Sequence, residues 1–192
     1  MTDTSHDERR DFYRINDTVG LNYSLCNGQS DVPDEQSFAD EIPNEFQLVT
    51  HLNNIDMESS TLLHNIQDVA PDISRYLKII NSKIESLARH IVTLGIDDDI
   101  KPTAVTLSAG GLNFISDEAV NIDDVLRLSL VLYPSCTGVI TYGKVVRCDK
   151  MTGTVPLKYD VAIEYFLISE PDRDALVRHV LKLQSNYLRK KK

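Results

Sequence analysis

Thr106-Leu107-Ser108-Ala109-Gly110-Gly111-Leu112-Asn113-Phe114 places a pair of glycines between two short apolar alternations. Such a stretch reads as a tight turn between two strands. Its small residues let the backbone come close to a ligand, and Ser108 offers a hydroxyl. An ordinary β-turn whose glycines supply positive φ angles calls for the same residue types, so the turn by itself names no function.

Working outward, segments 103–108, 111–116, 125–133, 137–148 and 158–168 are rich in Val, Ile, Leu, Tyr and Thr. Gly110-Gly111, Pro134, Asp149 to Gly153 and Pro156 punctuate them. Leu126, Leu128, Leu130 and Leu132 form one apolar face of their segment, with Val125, Arg127, Ser129 and Val131 on the other. Far upstream, residues 15–26 alternate in the same way through Val19, Leu21, Tyr23 and Leu25. These six segments suffice for a small antiparallel barrel. Ser169-Glu170-Pro171-Asp172 opens a final helix, whose Leu176, Val180, Leu183 and Tyr187 are expected along one stripe against the barrel.

Between the first strand and the rest, the period changes. Residues 27–43 are polar and acidic and read as a linker. Residues 44–95 turn helical, and Ile73, Leu77, Ile80, Ile84, Leu87, Ile91 and Leu94 follow one another at alternating steps of four and three. That is a heptad seam, held at 3.5 residues per turn where an ordinary surface helix drifts at 3.6. Leu77, Ile84 and Ile91 share one seam position; Ile73, Ile80, Leu87 and Leu94 share the other. Ile at both positions shifts preference from two strands toward three or four, so a homo-oligomer, trimer or tetramer, is expected. A weaker seam runs through Leu48, Leu52, Ile55, Ser59, Leu62, Ile66 and Val69. Pro71 suits the first turn of a second helix and Gly95 its end, which makes residues 44–95 a helical hairpin or two helices meeting at a kink. A helix lying flat on the barrel, or a hairpin packed only on itself, is the blander account.

Composition sets the class. With 42% hydrophobic residues in 192, the chain can bury a real core. A formal net charge of −9 argues against general affinity for nucleic acid. Three cysteines, Cys26, Cys136 and Cys148, form no CxxC pair and point to a reducing, cytoplasmic setting. No apolar run approaches the roughly 20 residues of a membrane span. The five histidines lack ligand spacing, so no metal site or cofactor is expected. Asp97-Asp98-Asp99 lacks the alternation and glycine of a calcium loop. No nucleophile motif or phosphate-cradling glycine loop is present, so an enzyme is not expected.

The basic exceptions are Arg9, Arg10 and Arg14, with Phe12 and Tyr13 among them, and the tail Arg189 to Lys192. Guanidinium forks donate paired hydrogen bonds to phosphates and guanine edges. A solvated basic arm resting on the barrel through Phe12 and Tyr13 accounts for the same residues.

Taken together, Arg10-xxx-Arg14 ahead of the first strand and Thr106-x-Ser108-x-x-Gly111 between later strands resemble the PilZ domain family. Its members are six-stranded barrels with a C-terminal helix, and many bind cyclic di-GMP. The resemblance covers residues 8–26 and 101–190; Thr106 departs from the family's Asp or Asn. It implies an α+β protein: a PilZ-like barrel from 15–26 plus 101–190, a flexible arm at 1–14, a linker at 27–43 and a helical oligomerisation insertion at 44–95. It is similar to the subgroup in which an inserted heptad helix builds tetramers. A cyclic di-GMP site is implied at Arg9, Arg10, Arg14, Thr106, Ser108, Gly110 and Gly111, together with a protein partner whose identity the sequence does not give. A Thr hydroxyl reaches less far than Asp or Asn and accepts less strongly, which favours the alternative of a scaffold that binds no nucleotide.

Overall fold

A computed structural model describes residues 13–28, 31–95, 100–153 and 156–190. Among the described residues, six strands and four helices follow in the order β1 (Ile15–Leu25), α1 (Glu35–Asp40), α2 (Asn44–Val69), α3 (Pro71–Gly95), β2 (Lys101–Ser108), β3 (Gly111–Ser116), β4 (Val125–Leu132), β5 (Thr137–Lys150), β6 (Tyr159–Ile168) and α4 (Glu170–Lys190). The strands close into one antiparallel barrel in the order β1-β2-β3-β6-β5-β4, with β4 returning to β1. Closure leaves no unpaired sheet edge.

Period two decides the interior. Val19, Leu21, Leu107, Leu112, Phe114, Leu126, Leu128, Leu130, Leu132, Val161 and Ile163 all point inward and are buried. Helix α4 closes one end of the barrel, adding Leu176 and Val180 to this core. Ser169 caps the helix by accepting from the Asp172 amide at 3.2 Å. The expected stripe on α4 stops short: Leu183 is only half-buried and Tyr187 is exposed. At about 1.5 Å per residue, a helix of this length outruns the opening it covers.

Residues 27–43 are not a bare linker. Asp34 accepts from the Ser37 amide at 2.8 Å and starts α1, whose Phe38 is buried edge-on to Tyr142. Glu41 follows at once, accepting from the Tyr142 hydroxyl at 2.7 Å and from Arg127 Nε at 3.3 Å. One aromatic and one carboxylate thus pin the segment to the outer wall of β4 and β5.

Helices α2 and α3 form a hairpin. Ser74 Oγ donates to the Leu63 carbonyl at 3.5 Å, and Lys78 Nζ to Gln67 Oε1 at 2.6 Å. A second core joins the hairpin to the barrel wall through Phe46, Val49, Ala88, Val92, Ile140 and Tyr142. Gly138 makes this docking possible, since a Cβ there would lie 2.0 Å from the Phe46 ring. The residues α3 buries, Ser74, Ala88 and Val92, lie off the heptad seam. On the seam itself Ile73, Ile84 and Leu87 are 58%, 43% and 64% exposed. Leu77 and Ile80 are half-buried and Ile91 is exposed. Leu94 belongs to α3, but its side chain lies outside the described residues. On α2, Leu48, Ile55, Leu62 and Val69, seven apart, are also exposed.

Candidate functional site

Pairing of β1 with β2 puts Ile15 opposite Leu107 and Asn16 opposite Thr106. The exposed Arg14, one residue earlier, therefore stands at the level of Ser108, where β2 enters the turn to β3. Arg14, Thr106, Ser108, Gly110 and Gly111 are brought to one end of the barrel, the end that α4 covers. Arg9 and Arg10 lie outside the described residues.

The turn is held from three sides. Ser108 is buried and its Oγ donates to the Gly111 carbonyl at 3.0 Å. The Tyr165 amide donates to the Gly110 carbonyl at 2.9 Å, and Arg173 Nη1 to the Ala109 carbonyl at 3.3 Å. Neither Gly110 nor Gly111 has a positive φ; among described glycines only Gly153 does. Gly111 answers a different need, because a Cβ there would lie 2.2 Å from the Ile163 carbonyl oxygen of β6. The glycine permits close packing of β3 on β6.

Thr106 Oγ1 donates to Asn16 Oδ1 at 2.9 Å, so the outer wall beside the turn ends in an amide from β1. Further across that wall Asn113 sits opposite Thr106, Ala162 opposite Asn113, and Arg147 opposite Ala162. Asn113 Nδ2 donates to Asp160 Oδ1, and Arg147 reaches Asp160 Oδ2 at 3.1 Å and Asp149 at 3.5 Å. Sequence reasoning passed over Asn16, Asn113, Asp160 and Arg147. The outward phase of each strand was the available signal, but not which outward residues become neighbours.

Two further features border this end. His179 of α4 and Asp17 of β1 meet at 2.7 Å. A groove of about 440 Å³ runs between the hairpin, α4 and the β4–β5 turn, past Met57, Ile84, Pro134, Arg178 and Lys182. It includes none of the residues around the 108–111 turn.

A six-stranded antiparallel barrel plugged by a C-terminal helix, with an arginine and a Ser-x-x-Gly turn at the plugged end, defines a class of small barrel modules. Residues 88–182 match the PilZ domain family, and the chain carries a PilZ domain. The matched stretch begins within α3, so β1 completes the barrel from outside it.

Among solved structures, the chain is similar to a Xanthomonas campestris protein described as a tetrameric PilZ domain self-assembled through a helical bundle. Identity is 14% and the TM-score 0.54, over 93% of this chain and 89% of that one. A Bacillus subtilis inhibitor of motility matches at 23% identity and TM-score 0.40, over 47% of this chain and 44% of that one. No curated protein sequence matches the chain. No helix among the described residues is long and apolar enough to cross a membrane.

Proposed function

We propose that this protein is a non-catalytic cyclic di-GMP effector that self-associates through its helical hairpin. One observation carries the reading: Arg14, the residue just before β1, stands beside the Ser108–Gly111 turn, although the two are far apart in sequence. Arg10 and Arg14 clamp phosphate and guanine from the N-terminal side, and Thr106, Ser108 and the backbone near Gly110 and Gly111 complete the site, with Arg9 adding charge. The exposed seam of α3 supports assembly, and the Xanthomonas campestris neighbour is described as assembling by a helical bundle. Binding changes the surface offered to a protein partner.

A second reading, a PilZ scaffold that binds no nucleotide, is favoured by the Thr106 and Ser108 hydroxyls. Both are already donated, to Asn16 and to Gly111. Titration calorimetry of the full chain with cyclic di-GMP separates the two. The effector reading expects heat from the native protein and none from Arg10→Ala/Arg14→Ala. A native chain that gives no heat leaves the scaffold; a double variant that still binds means the site lies elsewhere.

A further inference from the structure

We infer that Asn113, Asp160 and Arg147 read the guanine edge of the nucleotide, an inference resting on the cyclic di-GMP reading above. At position 106 a short hydroxyl stands where a longer acceptor is expected, and that hydroxyl is turned toward Asn16. The acceptor that guanine needs lies two strands further along the same outer wall, on β6, reached through Asn113 of β3. Asn113 is the register partner of Thr106, and its amide is bonded to Asp160. Strands are spaced about 5 Å apart, and two residues along a strand cover about 7 Å, so Asn113 lies within a nucleotide's reach of Ser108 and Gly111.

Guanine presents N1–H and the exocyclic amine as donors, and O6 and N7 as acceptors. A carboxylate matches the first pair and a guanidinium the second. Asp160 and Arg147 supply both and are already oriented by their mutual contact at 3.1 Å, while Asn113 and Asp149 hold them from either side. The Asp160 side chain is 33% exposed and that of Arg147 50%, so each keeps hydrogen-bonding capacity facing solvent. Glu164 lies on the same strand and wall, opposite Gly111. It sits nearer the phosphates of the proposed ligand, where a second carboxylate repels them, and has no part in base reading.

Calorimetry on the full chain with cyclic di-GMP and with cyclic di-IMP, which lacks the exocyclic amine, tests this. The native protein should prefer cyclic di-GMP by about tenfold, the scale of one well-placed base contact. Asp160→Ala should weaken cyclic di-GMP binding by at least that factor and bring the preference near one, as should Asp160→Asn, a near-isosteric change that guards against misfolding. Glu164→Ala should leave the preference intact. If Asp160→Ala and Asn113→Ala keep both affinity and preference while Arg14→Ala loses binding, the nucleotide site stands and this inference is overturned. If the native chain binds neither dinucleotide, the effector reading itself falls and takes the inference with it.

Discussion

His179 Nε2 on α4 and Asp17 Oδ2 on β1 lie 2.7 Å apart, with side chains only 7% and 16% exposed. The imidazole N–H donates to the carboxylate and fixes the capping helix to β1, the strand that carries Asn16 and directly follows Arg14. Removing the donor leaves a largely buried carboxylate without this partner. His179→Ala is expected to lower stability by roughly 1–3 kcal/mol in urea unfolding. An unchanged midpoint and slope would mean the contact contributes nothing.

Asp172 is a second buried carboxylate on α4, and its Oδ2 has no hydrogen-bond partner among the described residues. Burial lifts its pKa from 3.8 to about 6, against a smaller opposing contribution from Ser169. Because the folded state holds this proton more tightly than the unfolded one, stability falls as pH rises from about 4 to about 6 and is level beyond. Asp172→Asn removes that loss. The variant should melt higher than the native chain at pH 7.5, by up to about 3 kcal/mol, with the difference vanishing near pH 4. An advantage that grew toward acid would contradict the assigned burial.

Gly138 and Phe46 make a pair that a double-mutant cycle can expose. A methyl group at 138 would overlap the Phe46 ring, so Gly138→Ala should destabilise by about 1–3 kcal/mol by forcing α2 off β5. Phe46→Ala empties the same space at a cost of about 3–5 kcal/mol. Combined, the two should cost clearly less than their sum, because the methyl then enters the space the ring has left. Additive losses in thermal melts would place the ring elsewhere.

The barrel was legible because its signal is local. Leu126, Leu128, Leu130 and Leu132 repeat at period two inside one strand, and all four are buried. The Ser108–Gly111 turn was legible for the same reason, but the purpose of Gly111 was not. That purpose is set by the Ile163 carbonyl, which arrives from another strand. The Asn113–Asp160 bond spans 47 positions of chain, so register alone creates the polar wall. Helix α1 escaped notice because six residues with one aromatic carry no period; tertiary contacts of Phe38 and Glu41 hold it.

The hairpin offers the sharpest test of assembly. Helix α3 uses small residues, Ser74 and Ala88, together with Val92, for its own fold, and leaves Ile73, Ile84, Leu87 and Ile91 of the seam exposed. Leu48, Ile55, Leu62 and Val69 of α2 add a second exposed row at heptad spacing. A substitution at an exposed position changes the stability of an isolated chain by no more than about 0.5 kcal/mol, whereas a charge in a seam between copies must be desolvated. Ile84→Asp and, separately, Leu87→Asp are therefore expected to give monomers in multi-angle light scattering, with circular dichroism spectra like the native one. The native chain should scatter as a trimer or tetramer. A native chain that is already monomeric at tens of micromolar, or an Asp variant that keeps the native mass, would refute assembly through the seam and leave these apolar rows to another partner.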